Sequence, residues 1–263
     1  MSMKLRELIR AVRACKTAQE ERAVIAKECA LIRTAFKDNK LEVRHRNVAK
    51  LLFIHMLGYP SHFGQMECLK LIASPNFPEK RIGYLALMLL LDERTEVLTL
   101  VTNSLKNDLA HDSHYVVGLA LTSIGNLATT DMARTLAPDV AKHLVARLGS
   151  MTPYTRKKAA LTMIKVFKRV PEVIEDYIDK VVGLLKDRSH GVLIAAVQLM
   201  TDALKLSEKY AEETRSPESY ALVKADFQRV VPSLVKMLRN LLNLGYSPEH
   251  DIAGVADPFL QVR

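Results

Sequence analysis

The sequence is short of the residues that build loops, aromatic platforms and disulfide scaffolds. Its 263 residues contain no Trp, 6% aromatic side chains, and only 10 Gly and 10 Pro. So few Gly and Pro weigh against a loop-rich β protein and against a disordered chain. The three cysteines form an odd set without a CxxC pair, which favours buried thiols in a reducing compartment. We therefore expect a cytosolic protein.

Long uncharged apolar runs are also absent. The longest candidate, "IGYLALMLLL" at Ile82–Leu91, is far shorter than a membrane span and predicts a buried helix. The N-terminal "MSMKLRELIR" carries Arg and Glu where a signal peptide needs an apolar core. The sequence therefore predicts neither a spanning helix nor a secretory leader.

Acidic residues are scarce in one part of the chain. The net charge is +9, and residues 1–50 hold 13 Lys and Arg against 6 Asp and Glu. A nucleic-acid-binding array usually spreads basic residues along the whole surface that follows the phosphates. The localised excess instead favours a single contact with an anionic membrane or an acidic partner, and we expect no nucleic acid.

Apolar residues recur with a helical period throughout, and the pattern itself repeats. Thr17 and Glu20 form a candidate capping box for an early helix. Five predicted helices each carry a small residue within an apolar run, at steps of 34, 35, 41 and 36 residues: Ala49, Gly83, Gly118, Ala159 and Ala195. Each is followed by a second amphipathic segment. Helical pairs at this period predict an all-α solenoid of HEAT/armadillo-like type, with a non-repeating helical bundle as the alternative.

Two segments mark breaks in this pattern. The polar stretch Leu206–Lys224 predicts a surface loop in its middle. Pro258 is placed like the first residue of a helix that the sequence leaves unfinished at Arg263. An array that stops within a pair, without a polar cap, leads us to expect a fragment of a longer protein.

No catalytic or cofactor motif is present, so the sequence gives no residue a catalytic role and predicts no cofactor. His111 and His114 lie near Asp108 and Asp112, but a polar turn between helices is the favoured interpretation over a metal site. His190 in "DRSHG" has Ser and Asp neighbours that point to different sides of a turn, which argues against a triad.

Several strings closely resemble the N-terminal trunk of adaptor-complex large subunits, the adaptins, and the gamma type most of all. They include "LRELIRAVRACKTAQEERAVIAKECALIRTAF", "GYPSHFGQMECLKLIAS" and "GYSPEHDIAGVADPFLQVR", and the resemblance covers essentially the whole chain. It implies a right-handed α-solenoid of helical pairs over residues 1–263, and a non-enzymatic scaffold in vesicle transport at the trans-Golgi network and endosomes. The implied partners are beta-, mu- and sigma-type adaptor subunits, with clathrin reached only indirectly from this region.

The resemblance also implies three contact sites. Arg44, His45, Arg46 and Lys50 match a phosphoinositide headgroup site at a helix start, where cations and the helix N-terminus favour phosphate. His45 replaces a permanent cation of the alpha type, which predicts tighter binding on acidification. A solvated run of charges is the alternative.

Two further contacts are implied beside other molecules. Arg13 matches a basic residue beside the acidic-dileucine cargo site, with an ordinary exposed helix charge as the alternative. Met66 and Leu69 are candidates for contact with a GTP-loaded Arf-family GTPase, although apolar residues three apart are more often buried.

Two other functions fit the helical architecture alone. The chain resembles HEAT/armadillo scaffolds of other classes, such as a nuclear transport receptor, only in its repeat. An enzyme regulatory subunit of the same architecture is the third possibility. The clustered charge and the specific "GYP" and "FGQ" strings favour the adaptin interpretation over both.

Overall fold

The described part of the protein is almost entirely helical. The structure is a computed structural model that describes residues 3–39, 41–91, 97–145, 152–243 and 250–262. Its helices are α1 Leu5–Ala14, α2 Ala18–Lys37, α3 Leu41–Met56, α4 Gln65–Ile72, α5 Phe77–Leu90, α6 Val97–Leu109, α7 His114–Leu127, α8 Thr130–Lys142, α9 Pro153–Arg169, α10 Ile174–Gly183, α11 His190–Thr214, α12 Pro217–Gln228, α13 Val231–Asn243 and α14 Pro258–Val262. A short antiparallel hairpin pairs β1, Asp251–Ile252, with β2, Val255–Ala256.

Short polar caps explain where several of these helices begin. The Thr17 hydroxyl accepts a hydrogen bond from the Glu20 N–H, as the capping-box prediction requires. The Glu20 carboxylate accepts a hydrogen bond from the N–H of Lys16. In a standard capping box it would accept from the N–H of the N-cap residue itself, Thr17. Thr129 and Thr152 cap α8 and α9 in the same way.

The chain divides into two compact units, Met1–Asn107 and Asp108–Arg263. In the first unit, α1, α2 and α3 enclose an apolar core that includes Leu8, Ile32 and Ile54. Helix α5 packs against both α3 and α4. A Cβ on Gly83 would come within 2.8 Å of the Ile72 backbone nitrogen, so glycine is what allows α5 to lie this close to α4.

In the second unit, α7, α9 and α11 pack side by side. Gly118 of α7 lies against the ring of Tyr154 in α9, and a Cβ there would come within 2.6 Å of that ring. Ala159 and Ala195 are buried at the matching positions of α9 and α11. Helix α8 packs on α9, and α10 packs on α11. Gly83 and Gly118 of the sequence repeat therefore lie in helix-helix contacts, and Ala159 and Ala195 lie in the buried core, whereas Ala49 is only partly buried.

The predicted fold class is confirmed in both units, because each is all-α and built from HEAT/armadillo-like helical pairs. One continuous array over residues 1–263 stays a prediction.

The predicted loop within Leu206–Lys224 is wrong. Helix α11 continues to Thr214, and α12 begins at Pro217 after a break at Arg215, whose φ is 54°. The polar composition concealed an amphipathic helix, because Val223 and Phe227 of α12 are buried. Helix α12 packs on α11, so this segment is a folded part of the second unit.

Candidate functional site

The basic segment at the start of α3 does not form one accessible patch. Arg44 and Lys50 are buried, His45 is half-buried, and Arg46 is exposed. With 3.6 residues per turn, Arg44 and Arg46 point about 160° apart around the helix. The expectation of a single exposed cluster is therefore wrong for Arg44 and Lys50, whereas phosphoinositide binding itself stays a prediction.

Lys50 is committed to an ion pair inside the first unit. Its Nζ lies 2.6 Å from Oε1 of Glu28 on α2, and the side chains of the two residues are 2% and 0% exposed. A desolvated ammonium is stable only beside an opposite charge. The pair therefore joins α2 to α3, and Lys50 would have to leave Glu28 to meet a headgroup.

Arg44 makes a second cross-helix contact. Its Nε donates to Oε2 of Glu67 on α4 at 2.7 Å, and its Nη2 donates to the Asn39 side-chain oxygen in the turn before α3. Asn39 has a φ of 51°, a left-handed conformation that Asn adopts more readily than most residues. Lys70 reaches the other oxygen of Glu67 at 2.6 Å. One carboxylate thus pairs with two cations, and Arg44 holds α3 against α4.

A further carboxylate lies beside this segment. The hydrogen bond from the Ser74 hydroxyl at 2.7 Å is the main reason that the pKa of Glu79 lies below its ordinary value. Burial opposes that shift, while Asn76, His45 and Arg44 add to it. Within the described residues, the buried Nδ1 of His45 has no hydrogen-bond partner. Among Arg44, His45, Arg46 and Lys50, the exposed side chain is that of Arg46.

Helix α1 carries an exposed basic surface, of which the sequence analysis identified only Arg13. Arg13 is exposed in the last turn, as a cargo contact would require. Arg6 and Arg10 are also exposed, and the helical period places all three within about 60° of arc. The opposite face buries Leu8 and Val12 in the core. We call Arg6, Arg10 and Arg13 the α1 basic stripe; the i, i+4, i+7 spacing was the signal that could have found it.

The two GTPase-contact candidates on α4 differ in their surroundings. Met66 is 50% exposed, so the usual burial of such apolar pairs does not hold for it. Leu69 is half-buried, and Cys68 between them is fully buried. Burial raises the pKa of the Cys68 thiol to about 12. GTPase contact is untested, but Met66 is accessible.

The histidines near the second unit's start form a turn, as expected. His111 is exposed, and its Nδ1 accepts a hydrogen bond from the Ser113 N–H at 2.9 Å. His114 begins α7, and its ring lies 4.0 Å from that of Tyr115.

His190 has a partner that the sequence did not reveal. Its Nδ1 lies 2.6 Å from Oδ2 of Asp257, 67 residues away, and its ring stacks on that of His250. No local motif joins these positions, because the tertiary fold brings them together. The Asp187 carboxylate in the same "DRSHG" string instead pairs with Arg156.

That Arg156–Asp187 pair shifts the carboxyl's titration. Burial raises the pKa of Asp187, but the hydrogen bonds from Arg156 and from the Ser189 N–H outweigh burial, and the net pKa is lowered. Arg156 begins the sequence string "RKK", which by itself would suggest an exposed basic spot. It is buried instead and joins α9 to the turn before α11, while its neighbour Lys157 is exposed.

Across the described ranges, no helix combines the length and apolarity needed to cross a bilayer.

Comparison with known sequences finds one family model and several relatives that agree with one another. The sequence pattern of the family described as "Adaptin N terminal region" matches residues 21–263. The chain is 54% identical over 260 residues to AP-1 complex subunit gamma-2 of Arabidopsis thaliana, covering 99% of this chain and 28% of that protein. It is 51% identical over 263 residues to AP-1 complex subunit gamma of Dictyostelium discoideum, covering 100% of this chain and 28% of that protein. The chain thus spans little more than a quarter of the length of these relatives.

Among known structures, the fold is similar to a chain of the homology model of the full-length AP-3 complex in an intermediate open conformation. The TM-score is 0.56 at 27% sequence identity, covering 81% of this chain and 39% of that chain.

Proposed function

Because this chain belongs to the adaptin N-terminal region family, we propose that it is a non-enzymatic scaffold, the N-terminal part of a gamma-type large subunit of a clathrin-associated adaptor complex. The longer protein works in vesicle transport, cytosolic and peripheral on the trans-Golgi network, endosomes and clathrin-coated vesicles. The observation that carries this proposal is the identity of more than half to gamma-type AP-1 subunits over nearly the whole chain.

Assembly with beta-, mu- and sigma-type subunits requires surface that a partner can cover. Leu85 and Leu89 are exposed one turn apart on α5. Helix α13 carries a similar exposed apolar row, formed by Val231, Val235, Leu238 and Leu242. Exposed apolar side chains aligned on one helix face are typical of protein-protein contact surfaces. We assign the α5 pair to contact with another adaptor subunit.

Co-purification tests the assembly. The chain is co-expressed with beta-, mu- and sigma-type adaptins, and we expect a stable complex on size-exclusion chromatography. Leu85→Glu combined with Leu89→Glu should weaken it, whereas Lys209→Glu, a matched charge change on an exposed position of α11, should not. Absence of any association with the three subunits, or capture of nuclear transport cargo instead, would overturn the proposed function.

For the membrane, we propose weak binding of phosphoinositide headgroups through Arg46, with the other exposed cations of residues 1–50. Each basic residue close to an anionic bilayer contributes about 1 kcal/mol, so a single arginine needs further contacts. Arg44 and Lys50 were predicted to bind the headgroup directly; we propose an indirect role for them instead, because their charges hold α3 in place.

Liposome co-sedimentation separates these roles. Arg46→Glu should lower binding to phosphoinositide vesicles, more strongly at low salt, and leave the circular dichroism spectrum unchanged. Lys209→Glu is the control for net charge. Equal binding by wild type and Arg46→Glu would remove Arg46 from the headgroup site.

For cargo, we propose that Arg13 binds the acidic residue of dileucine signals, with Arg6 and Arg10 of the α1 basic stripe extending the positive field. In the assembled complex, Arg13→Glu should weaken acidic-dileucine peptide binding by about tenfold, which corresponds to the loss of one charge-assisted hydrogen bond. Lys27→Glu, an exposed position on α2, should retain binding. Retained binding by Arg13→Glu would refute the assignment.

For the GTPase, we propose that Met66 contacts a GTP-loaded Arf-family protein and that Leu69 supports it from its half-buried position. Met66→Asp should reduce pull-down by the GTP-loaded form without changing thermal stability, because Met66 is half exposed. Unchanged pull-down would exclude α4 from this contact.

A further inference from the structure

Three metal-ligating side chains meet beside the hairpin of the second unit. His190, His250 and Asp257 each offer a ligand atom, and these atoms all lie within 4.8 Å of one another. The nearest pair is His190 Nδ1 and Asp257 Oδ2 at 2.6 Å. Asp257 is buried, His190 is half-buried and His250 is exposed. The three residues therefore form a cluster at the protein surface, with the Asp257 carboxylate as its most buried member.

The backbone fixes two of these residues relative to each other. The Asp257 N–H donates to the carbonyl oxygen of His250 at 2.9 Å, closing the loop that carries the β1–β2 hairpin. The second carboxylate oxygen of Asp257, Oδ1, accepts from the Leu260 N–H at 3.1 Å, which fixes the rotation of the carboxylate. Ligands held by such supporting hydrogen bonds lose less freedom when an ion binds.

The third residue is fixed by the core beneath. His190 is the first residue of α11, and Leu193 one turn later packs in the same apolar cluster as Leu260 of α14. Leu241 of α13 completes that cluster. The ligands thus come from two segments that the core already holds together, and the ion would have little chain to order.

We propose that His190, His250 and Asp257 form a binding site for a transition-metal ion of the Zn²⁺ type. Two imidazoles and one carboxylate are ligands that Zn²⁺, Co²⁺ and Ni²⁺ prefer, whereas Mg²⁺ and Ca²⁺ prefer oxygen alone. Zn–N and Zn–O bonds of about 2.0–2.1 Å place tetrahedral ligand atoms roughly 3.3 Å apart. The His190–Asp257 separation of 2.6 Å is shorter than this value, and all the ligand atoms lie within 4.8 Å of one another, so small side-chain adjustments would bring them to it.

The ion would join the hairpin to α11. A ligand that binds only the closed arrangement at a hundred times its Kd lowers the population of the open one about a hundredfold. The site would therefore stabilise the part of the second unit that carries the hairpin and α14, without any catalytic role.

Cobalt titration of the full chain tests the site. We expect one equivalent of Co²⁺ to produce the visible absorption of a four-coordinate ion, and Zn²⁺ to displace it. His250→Ala should weaken binding tenfold or more, because it removes an exposed ligand and leaves the His190–Asp257 contact in place. His62→Ala, an exposed histidine of the first unit, should leave one equivalent bound.

A second variant guards against misfolding. Asp257 has a φ of 43°, which Asn tolerates, and an Asn side-chain oxygen can still accept from Leu260. Asp257→Asn should therefore fold yet bind Co²⁺ weakly. Zn²⁺ should raise the thermal midpoint of the wild type and not that of either ligand variant. No stoichiometric Co²⁺ spectrum, or equal binding by wild type and both variants, would mean an adventitious ion only and overturn the proposal.

Discussion

Replacing Lys50 by Met should destabilise the first unit strongly, although Lys50 belongs to the segment that resembles a lipid-binding site. The substitution keeps an unbranched apolar side chain that is one atom shorter than Lys, and it removes the charge. Glu28 then remains desolvated without the ammonium 2.6 Å away. We expect the loss to appear as unfolding, and lipid binding to change only as a consequence.

The separation of the two charges sets the expected loss in the free energy of unfolding. Coulomb's law at 2.6 Å with an effective dielectric constant of about 20 gives a gross attraction of roughly 6 kcal/mol. Desolvation of both groups offsets most of this, and removing one member of a buried pair typically costs about 3–5 kcal/mol. Replacing both members, in Glu28→Leu with Lys50→Met, should recover much of that loss, because no buried charge is left behind.

Urea unfolding followed by circular dichroism measures these free energies, with hydrogen exchange in α2 and α3 locating the change. Arg46→Met, exposed on the same helix, is the matched control and should stay within about 0.5 kcal/mol of wild type. A Lys50→Met protein as stable as Arg46→Met, or a double variant with the losses of both single changes added, would refute the buried ion pair.

Three other outcomes follow from the structure. Gly83→Ala should lower the free energy of unfolding by about 1–3 kcal/mol in urea, since its Cβ would meet the α4 backbone, whereas Gly183→Ala, with open space around it, should raise that free energy by up to about 1 kcal/mol. The pKa of Asp187 is lowered in the fold, so its contribution is complete above the ordinary value of 3.8 and is lost as the pH falls below that; Asp187→Asn should flatten the acid dependence of the urea midpoint, and an unchanged slope would contradict the pair. With a pKa of about 12 and full burial, Cys68 should resist a thiol reagent at about pH 8 while half-buried Cys15 reacts, and equal rates by peptide mapping would contradict its burial.

The repeat could be predicted from the sequence because its physical cause is local. Small residues at near-constant steps allow helices to approach, and Gly83 and Gly118 do lie in such contacts. The cap at Thr17 depends on residues three apart, so it too was visible in the string. The segment around Pro217 was mistaken for a loop because polar composition outweighed two well-spaced apolar residues.

The candidate sites were harder to predict because the sequence does not show which opposite charge a charged residue pairs with in the fold. Lys50 and Glu28 are 22 residues apart, and nothing in the local pattern distinguishes this pair from two solvated charges. The approach of His190 to Asp257 spans 67 residues. Arg13 needed no partner, and its exposure follows from the helical period of α1 alone.

The sequence by itself determined the all-α class and the family, because these depend on spacing, propensity and extended similarity. Only the tertiary structure decided which cations of α3 remain in solvent. Burial makes an unpaired charge costly, so the packing of α2 and α4 against α3 commits Lys50 and Arg44 to carboxylates on those helices, whereas Arg46 stays exposed.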